Sequence, residues 1–225
     1  MGFGSVAGDL DDPGVARRET AKRREENEIE FSRIVAFSDG VFAIAITLLV
    51  LNLGVDGHVK DGELGTVLWN QHQDLFAYAL SFAVIGRFWI VHHRFFGEVT
   101  GFDSRLIWLN LFYLAWIVLI PFSSQILGDY GGTTAAEVLY AGNLVGVMLS
   151  GTLLFADAQR AGLTRTASEE ARQGRYHALW IALVFAASIP IAFANPDIAP
   201  YCWLALFIVP MAGRIARGSH AQRHP

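Results

Sequence analysis

Residues Arg33–Leu53, RIVAFSDGVFAIAITLLVLNL, form an apolar run long enough to cross a bilayer, yet the run carries a carboxylate, Asp39. A hydrocarbon core of about 30 Å asks for roughly 20 mostly apolar residues in one helix. An ionisable group at that depth is costly, on the order of 2.5–3.5 kcal/mol on insertion scales, and therefore calls for a function and a named partner.

Working outward from this run, five further stretches meet the same length requirement: 75–91, 106–125, 136–155, 176–194 and 200–215. With 225 residues, 53% of them apolar, the chain reads as an all-α protein with six transmembrane helices rather than one soluble domain. The basic residues alternate with these stretches. Arg17, Arg18, Lys22, Arg23, Arg24 and Arg33 precede the first span, Arg94 and Arg105 follow the second, Arg160, Arg165, Arg172 and Arg175 follow the fourth, and Arg214, Arg217 and Arg223 close the chain. Lys60 is the lone cation of the opposite loops, which hold Asp56, Asp61, Glu63, Asp74, Asp129, Glu137 and Asp197. Lys and Arg near span ends are retained on the cytoplasmic side, so both termini are expected in the cytoplasm and the number of spans is expected to be even.

The expected organisation is a cytoplasmic N-terminal segment over 1–32, a membrane domain over 33–215 and a cytoplasmic tail over 216–225. Residues 1–32 lack the apolar core and small-residue cleavage site of a secretory signal. Cys202 is the only cysteine, so no disulfide framework, zinc knuckle or paired redox motif is available. No Gly-flanked serine elbow of the GxSxG kind is present, and no paired aspartates of an intramembrane protease. Adjacent His92 and His93 diverge by about 100° on a helix and make a poor metal pair. Enzyme activity is not expected, nor a cofactor, nor a nucleic-acid partner. A proton-coupled or ion-coupled secondary transporter is the alternative class, because Asp39, Arg87 and the histidines could relay protons, although paired inverted halves are not evident.

At 3.6 residues per turn, Leu48 and Leu51 fall within about 40° of Ile44 on the first helix, with Phe37, Gly40 and Val41 on the same side and Thr47 about 60° away. Ser38 and Asp39 lie about 120° and 140° round. Asp39 is thus expected to pair away from this stripe, with Arg33, Arg87 or a histidine of a neighbouring helix. Trp89 suits an interfacial aromatic belt. Gly142, Gly146 and Ser150, spaced by four, permit close helix approach either within a subunit or between subunits. Periodicity alone leaves the apolar stripe facing lipid, packed helices or a pore.

The string Arg33-x-x-x-Phe37-Ser38-Asp39-Gly40, continued by Val41-Phe42-Ala43-Ile44-Ala45-Ile46-Thr47, resembles the signature of the transmembrane protein 175 family of endosomal and lysosomal potassium channels and their prokaryotic relatives. The segments IGRFWIVHHRFF and NLFYLAWIVLIPF in the second and third spans are similar to the family pattern. The resemblance implies a potassium-selective, leak-type cation channel of the single-unit prokaryotic branch, assembled as a homotetramer in the cell membrane, with the first helix of each subunit around a central pore. The TVGYG carbonyl filter is absent from the chain. The resemblance further implies that Ile44 forms the narrowest hydrophobic ring, with Leu48 and Leu51 as apolar rings above it. Thr47 would lie beside Ile44 as a selectivity layer, and Arg33, Phe37, Ser38, Asp39 and His92 or His93 would form a structural polar network. Asp56 is expected at the outer mouth, where it would attract cations. The implied partners are further copies of the chain, membrane lipid and monovalent cations, with potassium as the permeant ion and no resident metal.

Overall fold

The computed structural model describes residues 13–54, 62–165, 183–196 and 198–203. They form α1 (Pro13–Leu48), a 3-10 turn (Leu49–Asn52), α2 (Leu64–Asn70), α3 (His72–Glu98), α4 (Ser104–Val118), α5 (Ile120–Asp129) and α6 (Thr134–Arg160). Two shorter helices follow, α7 (Leu183–Ala194) and α8 (Ala199–Trp203). Four stretches among the described residues are long and apolar enough to cross a membrane: Arg17–Leu51, His72–Glu98, Ser104–Asp129 and Thr134–Arg160.

These correspond to the first four expected spans. The expected fifth span, 176–194, is described only over α7, and its first residues lie outside the described residues. Of the sixth, 200–215, only the part within α8 is described. The helices run several residues past the apolar windows, because backbone hydrogen bonding continues after hydropathy falls. α1 is the extreme case: at about 1.5 Å per residue its 36 residues reach about 54 Å, well beyond a hydrocarbon core of about 30 Å.

Local chemistry sets the ends of the elements. The Asp103 side chain accepts a hydrogen bond from the Leu106 amide at 2.7 Å and caps α4. Thr133 caps α6 in the same way, accepting from the Ala136 amide. At the far end of α6, Gly162 takes φ +69°, its amide donates to Gln159 and the Leu163 amide donates to Ala158. This is the glycine-terminated stop that satisfies the last helical carbonyls. The third span is interrupted: α4 ends at Val118, Leu119 intervenes, and Pro121 sits in the first turn of α5. A proline has no amide to donate, so the i→i−4 ladder is broken here.

α1 packs on α3 and α4, α4 lies against α6, and α5 fits between α3 and α6. The core contains Phe42 and Ala45 of α1, Leu49 of the 3-10 turn, Ile85 and Phe88 of α3, Tyr113 and Ile117 of α4, and Tyr140, Leu144 and Val147 of α6. In lipid, apolar burial does not itself drive helices together, so close packing and interhelical hydrogen bonds hold the bundle. Gly146 serves the first: a Cβ there would collide with the Trp116 ring, whereas a Cβ on Gly142 would meet nothing within 4 Å. Gly146 is therefore a packing site within the chain, and Ser150 is buried on the same helix, bonded to Val147 O.

The bundle is also stitched across its loops at the end where α1 enters. Thr100 N donates to Leu163 O at 2.7 Å and Arg165 N to Glu98 O at 2.8 Å, forming an antiparallel bridge between Val99 and Thr164. Arg105 pairs with Asp157 at 2.9 Å nearby. Phe31 of α1 stacks on Phe96 and Phe102 beside this seam.

Candidate pore-lining face and its polar anchor

α1 and the 3-10 turn that continues it have two unlike faces. Ser38, Phe42, Ala45 and Leu49 are buried against the bundle. On the other side Phe37, Ile44, Leu48 and Leu51 stand exposed, Ile44 at 61% and Leu51 at 74%. Gly40 and Thr47 are exposed with them, and Val41 is half-buried. The helical phase that unites the stripe also turns it away from the core of the bundle. Thr47 Oγ1 donates to Ile44 O at 2.9 Å, so its hydroxyl hydrogen is held by its own helix while its oxygen lone pairs remain available outward.

Behind the stripe lies a chain of buried polar groups. Ser38 Oγ donates to Ile34 O at 2.9 Å and accepts from Asn110 Nδ2 at 2.9 Å. Asn110 Oδ1 lies 2.9 Å from His92 Nε2, which places a donor on that ring nitrogen. The His92 ring is enclosed by Phe42, Phe96 and Tyr113, with the Tyr113 ring parallel to it at 5.5 Å. One side chain from each of α1, α3 and α4 is thus joined at membrane depth, where an unmade hydrogen bond has no water to replace it.

Asp39 has a partner that the expected set of Arg33, Arg87 or a histidine did not include. Its Oδ1 accepts from Trp89 Nε1 at 2.9 Å. Trp89 is therefore no simple belt residue: the indole N–H reaches across from α3 because the tryptophan side chain is long enough to meet a short carboxylate on α1. His93 stacks on Trp89 at 5.4 Å and is exposed. Arg33 is exposed on α1, as is Phe37 at 56%. Asp56 lies outside the described residues.

A second buried polar group lies among α3, α5 and α6. Ser81 Oγ donates to Ser124 Oγ at 2.8 Å and lies 2.9 Å from Tyr140 OH. Ser124 Oγ in turn contacts Ala77 O, and Asn143 Nδ2 donates to Ser123 Oγ at 2.9 Å. Glu137, expected in a loop, is instead in the first turn of α6 and only 1% exposed. Asp74 is likewise helical, in the first turn of α3. A threonine at the N-cap position with an acidic residue in the turn that follows, Thr133 and Glu137, is the sequence signal for a helix start there.

Four apolar spans held by buried hydrogen bonds define a multi-pass α-helical membrane protein. Residues 33–121 match the family model described as endosomal/lysosomal potassium channel TMEM175, and the chain belongs to the TMEM175 family. It is 39% identical over 137 residues to a potassium channel of Streptomyces collinus, covering 61% of this chain and 66% of that one. It is 34% identical over 114 residues to the endosomal/lysosomal proton channel TMEM175 of Gallus gallus, covering 47% of this chain and 23% of that one. Among solved structures, the crystal structure of a lysosomal potassium-selective channel TMEM175 homolog from Chamaesiphon minutus superposes with a TM-score of 0.68 at 27% identity. That likeness covers 81% of this chain and 97% of the other.

Proposed function

We propose that the chain is one subunit of a potassium-selective, leak-type channel in which α1 of four identical subunits surrounds an axial pore. The observation that carries this reading is the exposed apolar stripe of α1, with Ile44 61% exposed, on the helix that holds the family motif. An isolated subunit would present this face to lipid; four copies would turn it inward. Ile44 then forms the tightest ring, Leu48 and Leu51 continue the apolar wall, and the Thr47 oxygens supply a polar layer beside the constriction. A ring of branched aliphatic side chains blocks ions by dewetting when closed and passes them when slightly dilated.

In this reading Ser38, Asp39 and His92 act behind the pore wall, fixing the rotation of α1 through Asn110 and Trp89, while Arg33, Phe37 and His93 flank that anchor. The chain runs from a cytoplasmic segment over 1–32 through six spans over 33–215 to a cytoplasmic tail over 216–225, in the plasma membrane. Asp56 and the C-terminal end of the α1 dipole favour cations at the outer mouth. The function is ion conduction without chemistry, and it requires no bound cofactor.

The test is flux from liposomes that contain purified protein. Potassium should leave down its gradient, generating a diffusion potential without a coupled ion. Saturable uptake that requires a proton gradient would overturn the channel in favour of a carrier.

A further inference from the structure

We infer that α1 carries the ion path beyond the membrane: one polar face of its N-terminal half, bearing Lys22, Glu26, Glu30 and Arg33, lines a hydrated antechamber below the Ile44 constriction. This rests on the axial placement of α1 proposed above.

α1 is one α-helix from Pro13 to Leu48 with no break. Its rotational phase therefore passes unchanged from the apolar half to the charged half. Taking Ile44 as zero at 100° per residue, Glu26 falls at about 0°, Arg33 at about 20°, and Lys22 and Glu30 at about 40° from it. Phe31 gives an independent check close by, because it is half-buried against Phe96 and Phe102 and so marks the bundle side. Lys22, Glu26 and Arg33 lie about 180°, 140° and 160° from Phe31, with Glu30 about 100° away. Arg24 and Glu28 lie on the Phe31 side, about 20° and 60° from it.

Every described side chain from Lys22 to Glu30 is exposed. Lys22 and Glu26 reach along the same face to within 3.9 Å of each other. A helix that is polar all round normally bridges solvent. Here that property puts charged, wettable groups over about 16 Å of path that ends at Arg33, about 16 Å short of the Ile44 ring, with exposed Phe37 on the face between them. The wall is nearly balanced in charge, base then two acids then base, so it keeps water in the mouth without trapping a cation at one level.

Two substitutions two positions apart in the chain test the phase. With potassium current recorded in planar bilayers at about 0.1 M salt, Glu26→Lys should lower outward unitary current by about threefold or more, since it reverses a whole ring of charge in the path. The deficit should shrink at about 1 M salt, where the Debye length falls to about 3 Å. Glu28→Lys makes the same charge change on the bundle side and should leave the current within about 1.5-fold. Equal losses from both, or no loss from Glu26→Lys in a conducting protein, would overturn the inference. In a Cys202→Ser background, a short bis-maleimide should cross-link Glu26→Cys between subunits and should not cross-link Glu28→Cys. This arm needs no current: cross-linking at 26 in a protein that passes no potassium supports the axial face while rejecting conduction, and failure at 26 rejects the axial face itself.

Discussion

Asn110 Nδ2 lies 2.9 Å from Ser38 Oγ, joining residues 72 positions apart in the chain and fixing α1 to α4 at membrane depth. The same amide meets His92 through its oxygen. Asn110 thus uses a donor and an acceptor at once, which a carboxylate or a hydrophobe of similar size could not do.

Asn110→Leu should destabilise the folded protein by about 1–3 kcal/mol, because Ser38 and His92 would both lose a buried partner. The check is the melting temperature in detergent and the yield of monodisperse protein by size-exclusion chromatography. An unchanged melting temperature would show that the chain of bonds is energetically idle.

The Asp39–Trp89 bond is separable from the packing around it. Trp89→Phe keeps an aromatic ring and deletes the N–H, so it should cost about 0.5–1.5 kcal/mol. Asp39→Ala should reduce assembled protein by a similar margin, and the double variant should lose little more than either single one. Additive losses in that cycle would mean that the two groups do not act on each other.

In the proposed pore, Ile44→Asn should raise potassium current and weaken the preference for potassium over sodium, because a wettable amide would replace the dry ring. Reversal potentials in asymmetric potassium and sodium measure both effects. A variant with native current and native selectivity would move the constriction elsewhere.

Gly146→Ala and Gly142→Ala form a matched pair four residues apart. The first adds a methyl group against Trp116 and should cost about 1–3 kcal/mol. The second enters open space and should be neutral or slightly favourable in melting, since alanine is the better helix former.

What could be read in the sequence was what helical geometry alone dictates. The stripe through Phe37, Gly40, Val41, Ile44, Leu48 and Leu51 was visible because the phase of a helix follows from spacing; all of them but half-buried Val41 share the exposed face. Partners across helices were less legible. Asn110 stood out only as a polar residue in an apolar run, and Trp89 looked like an interfacial anchor, since nothing local reveals which helix comes alongside. Glu137 was misplaced for a different reason: charge counting assigned it to water, whereas the Thr133 cap starts the helix before it and draws it into the bundle. The family motif identified the class because its residues cluster on one helix, whereas the second polar group draws on Ser81, Ser124 and Tyr140 from three.

The antiparallel bridge between Val99 and Thr164 has a practical consequence. Everything after Arg165 leaves from a fixed mooring, since Glu98 and Thr100 already grip the preceding residues. The polypeptide could therefore be severed just beyond that knot, and the two fragments, produced side by side in one membrane, should find each other again, with the N-terminal piece keeping its four rods in register.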